Sequence, residues 1–138
     1  MAELPLTGGC LCGAVRFEVD RQPTGASYCH CTRCQRRTGT ASSASASIEP
    51  GSLEVLSGEE ALGAFEPDDG FAKIFCSLCG AHLFTRDPSD GMVKGVRMSA
   101  FDEDPGVRPS HRQFVAYAAA WEPIPDDGLP RYPERRPT

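Results

Sequence analysis

The sequence has no apolar run that can cross a bilayer: its longest, Phe114 to Trp121, is far short of the roughly 20 residues a spanning helix needs. Basic excess is also missing. Fourteen Lys and Arg against nineteen Asp and Glu leave a net charge of -5, with a sequence pI near 5.1. That balance argues against a surface that tracks nucleic-acid phosphates, with Arg33, Arg36 and Arg37 as a local exception. The opening Met1-Ala-Glu-Leu-Pro carries no basic start followed by an apolar stretch, so a soluble, cytoplasmic chain is expected. No helical period persists beyond about two turns, and neither an internal repeat nor a dividing linker occurs. Residues 1–138 are therefore expected to form a single domain. Finally, an even cysteine count is absent: seven thiols would leave one over in a disulfide framework, and a reducing compartment would disfavour one.

What is present is glycine and proline, fourteen and twelve, which break the chain into short pieces. Short strands are the expected material. Val15, Phe17 and Val19 alternate with Arg16, Glu18 and Asp20, the period-two pattern of a strand with one wet face. Further strands are expected at 41–48, where small residues imply close backbone approach, and at 53–56, 72–75, 81–85, 92–98 and 113–119. Only 32–38 reads as a helical turn, with Thr32 as its N-cap. The Pro-rich tail after Trp121 is expected to cross the surface in extended form and to fray at 135–138.

The seven cysteines fall in three clusters: Cys10-x-Cys12, Cys29-x-Cys31-x-x-Cys34 and Cys76-x-x-Cys79. Such short spacings let neighbouring thiolates turn onto one cation, and zinc takes four sulfurs in a tetrahedron. Two pairings satisfy the spacing. One joins Cys31 and Cys34 to Cys76 and Cys79 as a zinc ribbon and leaves three thiols unused. The other joins Cys10 and Cys12 to Cys76 and Cys79, and leaves Cys29, Cys31 and Cys34 as a three-ligand site. His30 sits between two ligands and would close that site as Cys3His, although in an extended C-x-C its side chain points away from both sulfurs. His82 and His111 read as surface or supporting hydrogen-bonding groups, and the loop carboxylates Asp87, Asp90, Asp102, Glu103 and Asp104 as solvated turns.

Three stretches together resemble the glutathione-dependent formaldehyde-activating enzyme family, which includes centromere protein V. They are Gly8-Gly9-Cys10-Leu11-Cys12-Gly13-Ala14-Val15-Arg16-Phe17, Cys29-His30-Cys31-Thr32-Arg33-Cys34-Gln35-Arg36-Arg37-Thr38-Gly39, and Phe75-Cys76-Ser77-Leu78-Cys79-Gly80. The tail from Trp121 to Pro130 is similar as well. The resemblance implies a mainly β, zinc-stabilised fold of the β-tent type, built from short antiparallel strands. It implies a structural zinc on Cys10, Cys12, Cys76 and Cys79, and a second, open zinc on Cys29, Cys31 and Cys34 where a small thiol such as glutathione binds. The implied activity is that of a zinc-dependent carbon–sulfur lyase forming or cleaving an S-hydroxymethylglutathione-like adduct. The alternative is a non-catalytic zinc module that binds a small thiol or a protein partner. Neither nucleic acid nor membrane is an expected partner.

Overall fold

The computed structural model describes residues 3–137. In chain order the strands are β1 (Leu6–Gly9), β2 (Arg16–Val19), β3 (Gly25–Cys29), β4 (Ser43–Ser47), β5 (Leu53–Ser57), β6 (Leu62–Phe65), β7 (Ala72–Cys76), β8 (His82–Arg86), β9 (Val93–Arg97) and β10 (Arg112–Gln113). Helix α1 (Thr32–Thr38) lies between β3 and β4. The fold is mainly β. A three-stranded sheet runs β1-β2-β5, and a seven-stranded sheet runs β10-β3-β4-β9-β8-β7-β6. Every pairing is antiparallel except that of β10 with β3.

The alternation read from 15–20 has its expected consequence. Val15, Phe17 and Val19 are fully buried, while Arg16 and Glu18 are half-buried on the other face. Phe17 of the small sheet meets Phe84 of the large one edge-to-face at 5.1 Å, and Phe101 at 5.9 Å. Burying one such ring contributes about 2–3 kcal/mol, so this contact is a principal tie between the sheets. On β4 the small side chains serve close packing: Ala46 is buried in the sheet interior, and Ile48 closes the same core just past the strand.

The stretch at 113–119 departs from expectation. Its strand ends at Gln113, because Phe114 takes a left-handed conformation (φ 58°) and Val115–Tyr117 forms a 3-10 turn. The backbone N–H groups there find other partners. Those of Phe114 and Val115 donate to the carbonyls of Glu134 and Tyr132 on the returning tail, at 3.0 Å each. The tail is extended, as expected, but its end is held: the Arg136 N–H donates to Gln113 Oε1 at 3.2 Å, and Thr138 lies outside the described residues. The helix cap also differs. Cys31, not Thr32, is the N-cap, and its sulfur accepts the Cys34 N–H at 3.2 Å.

Candidate metal centre

Cys10 and Cys12 lie in the loop between β1 and β2, and Cys76 and Cys79 flank the turn from β7 to β8. The fold brings these two loops together. All four sulfurs lie within 4.8 Å of one another, with Cys10 to Cys12 at 3.7 Å and Cys12 to Cys76 at 3.9 Å. Four sulfurs bound to one zinc at roughly 2.3 Å stand about 3.8 Å apart, so this donor set fits a tetrahedral zinc. Local backbone shapes the cluster. Gly80, at φ 80°, lets the turn close with its N–H on the Cys76 carbonyl at 2.8 Å. The Val15 N–H donates to Cys10 Sγ at 3.2 Å. The N–H of Ala81, and then that of Cys12, hold the Cys79 thiol down to about 6.

The second cluster comes from a single segment. Cys29 ends β3, Cys31 caps α1 and Cys34 sits in its first turn, and their three sulfurs lie within 4.8 Å of one another. Among the described residues no His, Asp, Glu or further Cys joins them. Two or three thiols this close share protons unequally. The Cys29 thiol donates toward Cys34 and lowers its pKa against the opposing effect of burial, with Ser43, Cys31 and the Arg97 charge adding to the lowering. Cys29 is correspondingly raised, by that sharing and then by burial. A preformed, half-buried set of three thiolate donors suits a zinc with one position left open.

His30 turns away from the sulfurs. It is 3 % exposed, and Arg112 Nη1 donates to its Nε2 at 3.1 Å. Burial, then the Arg112 charge, lowers its pKa, which keeps the ring a neutral acceptor. Arg112 was not evident from the sequence. It donates to Asp127 Oδ2 from Nη2 at 2.8 Å and from Nε at 3.2 Å, and its guanidinium lies 4.2 Å from the Tyr28 ring centroid. Gln35 Nε2 donates to the carbonyls of His30 and Tyr117 at 2.8 and 2.9 Å. The turn that carries Cys29 and Cys31 is thus pinned from behind.

Of the three arginines on α1, Arg33 pairs with Asp69 at 3.1 Å and Arg36 is exposed. Arg37 faces inward toward Arg97, another residue missed in the sequence because it arrives through sheet register. Ser45 lies opposite Arg97 on β4 and β9, and Arg97 Nη1 donates to Ser45 Oγ at 2.8 Å. Two cavities open beside this region. A larger one of about 750 Å³ runs from Cys10 and Arg16 to Thr38, Ser43 and Arg97. A smaller one of about 400 Å³ lies among Arg37, Lys73, Phe65, Phe75 and Phe84. His82 and Arg97 line both. His111 stands apart, with Ser110 Oγ 2.9 Å from its Nδ1. No helix among the described residues is long and apolar enough to cross a membrane.

The chain is similar to known proteins in sequence and in fold. A Halomonas elongata protein, provisionally named glutathione-dependent formaldehyde-activating enzyme, is 30% identical over 105 residues, covering 72% of this chain and 67% of that protein. The crystal structure of a Rhodobacter sphaeroides protein superposes with a TM-score of 0.56 at 26% identity, covering 91% of this chain and 98% of that one. The family model described as glutathione-dependent formaldehyde-activating enzyme matches residues 5–117, a span that takes in all three cysteine clusters, and the chain belongs to that family.

Proposed function

We propose that residues 1–138 act as a single cytoplasmic zinc-binding domain with two metals: a structural zinc on Cys10, Cys12, Cys76 and Cys79, and an open zinc on Cys29, Cys31 and Cys34. At the open site a small thiol, glutathione by the family's name, is joined to or released from an aldehyde of the formaldehyde type, a carbon–sulfur lyase reaction. The observation that carries this reading is the inequality of the two clusters, four sulfurs against three with no fourth donor among the described residues.

Zinc held there would supply a lowered thiol pKa and Lewis-acid polarisation of a carbonyl oxygen. The chain's own part is to keep three sulfurs on one side of the site and to balance charge. Cys31 is fixed by its bond to the Cys34 N–H, and Arg97, 8 % exposed, offsets negative charge on the cluster. In the addition direction the thiol sulfur bonds to the carbonyl carbon, and the thiol proton ends on the carbonyl oxygen. Cleavage is the reverse. Cobalt substitution tests the reading: glutathione should shift the absorption of cobalt at the second site, and a spectrum unmoved at saturating glutathione would rule the open-site assignment out.

A further inference from the structure

Resting on that reading, we infer that the smaller cavity is a subsite for a carboxylate carried by the incoming thiol. Three cations line it, Arg37, Lys73 and Arg97, and no Asp or Glu does. None of the three forms an ion pair among the described residues. Arg37 Nη1 is buried without a hydrogen-bond partner. Such a group is costly unless a ligand accepts a hydrogen bond from it. The cations also oppose one another: burial, then Arg37 and Arg97, lowers the Lys73 pKa, and burial, then Arg37, lowers that of Arg97.

Two of its lining residues tie the cavity to the three-cysteine cluster. Arg37 follows Cys34 by three residues, on the same face of α1, and Arg97 acts on Cys34 from β9. Three thiolates on one divalent cation leave a charge of about -1, which balances only one of the three positive side chains. A thiolate on the metal and a carboxylate in the cavity balance the other two. Phe65, Phe75 and Phe84 supply an apolar wall for the connecting chain. The ligand class that fits is a small thiol with a carboxylate set apart from its sulfur.

Calorimetric titration of the zinc-loaded protein with S-methylglutathione isolates this site, because the blocked sulfur cannot act as a thiolate. Measurable binding is expected, weakened roughly tenfold in K73M and in R37M and unchanged in the exposed-site control R21M. Glutarate, which has no sulfur, should compete in the unaltered protein, so the result does not depend on the variants folding. Equal affinity across all four proteins, or no competition by glutarate, would overturn the subsite. The open-metal reading is judged separately, by the cobalt shift with uncharged 2-mercaptoethanol, whose affinity K73M should leave unaltered.

Discussion

Sulfur and serine are not equivalent at every cysteine of this chain, and Cys31 and Cys76 mark the extremes. Cys31 caps α1 through its side chain, a role that a serine hydroxyl performs well. Cys76 is fully buried within the hydrophobic core. A serine there removes one of the four sulfurs proposed to hold zinc and leaves a hydroxyl in apolar surroundings. We expect Cys31→Ser to melt within about 1 kcal/mol of the parent while losing the thiol-induced cobalt shift. Cys76→Ser should forfeit the structural site, which in small zinc domains contributes about 10 kcal/mol or more, and so should not fold. Circular dichroism melts with metal analysis decide, and equal destabilisation by the two changes would mean that both metals are structural. The three clusters were legible in the sequence, but their spacing left two pairings open, and using every sulfur together with the family resemblance selected Cys10 and Cys12 with Cys76 and Cys79, the set the fold brings together. Ser43 and Arg97 were not legible. Ser43 reaches Cys34 because it stands opposite Cys29 in the β3–β4 register, and Arg97 arrives one strand further on. Such neighbours are set by register, which no local spacing records.

Element by element, legibility followed side-chain composition. The strands β2, β4, β5, β7, β8 and β9 were anticipated to within a residue or two, β2 by its wet and dry sides and the others by short runs of apolar or small residues bounded by turn residues. Three strands were not: β1, β3 and β6 are short and contain glycine, and they exist because a partner strand holds them. In β6, Gly63 stands opposite Phe75, and a Cβ there would meet that ring at 2.7 Å. The glycine makes room for the phenyl ring. The stretch at 113–119 misled in the opposite direction, since its apolar residues flank a 3-10 turn under the returning tail. That tail is a working element. Through Asp127 it fixes Arg112, and through Arg112 it fixes His30 between two of the cysteines. Arg112→Leu should cost about 2 kcal/mol, because it leaves the buried His30 imidazole without its donor. Asp127→Ala should cost less on its own. The double variant should lose little more than Arg112→Leu alone, since the residues act through one network. Guanidinium denaturation of the four zinc-loaded proteins measures this, and strictly additive losses would show that the tail and the His30 turn are independent.

At the scale of the molecule, the two clusters differ in what they join. Cys10 and Cys12 belong to the hairpin of the three-stranded sheet, and Cys76 and Cys79 to a hairpin of the seven-stranded sheet. A metal on these four therefore fastens one sheet to the other, beside the Phe17–Phe84 contact and the Arg16–Asp102 ion pair. Cys12 and Cys76 are 64 residues apart. A covalent link across such a loop is worth about 4 kcal/mol in closure entropy, over and above the ligand bonds themselves. Cys29, Cys31 and Cys34 close no such loop, for all three lie within one turn between β3 and α1, already held by Gln35 and Arg112. A metal there contributes little that the chain does not already secure. Chelation should therefore proceed in two stages. As the strength of the chelator rises, one zinc per chain should leave first, with the far-UV circular dichroism unchanged and the thiol-induced cobalt response abolished on reconstitution of the remaining site alone. The second zinc should leave only with the β signal, because its departure frees the two sheets from each other. Simultaneous loss of both metals with unfolding would contradict this division of labour, since it would mean that the three-cysteine turn supports the sheets as much as the four-cysteine clasp does.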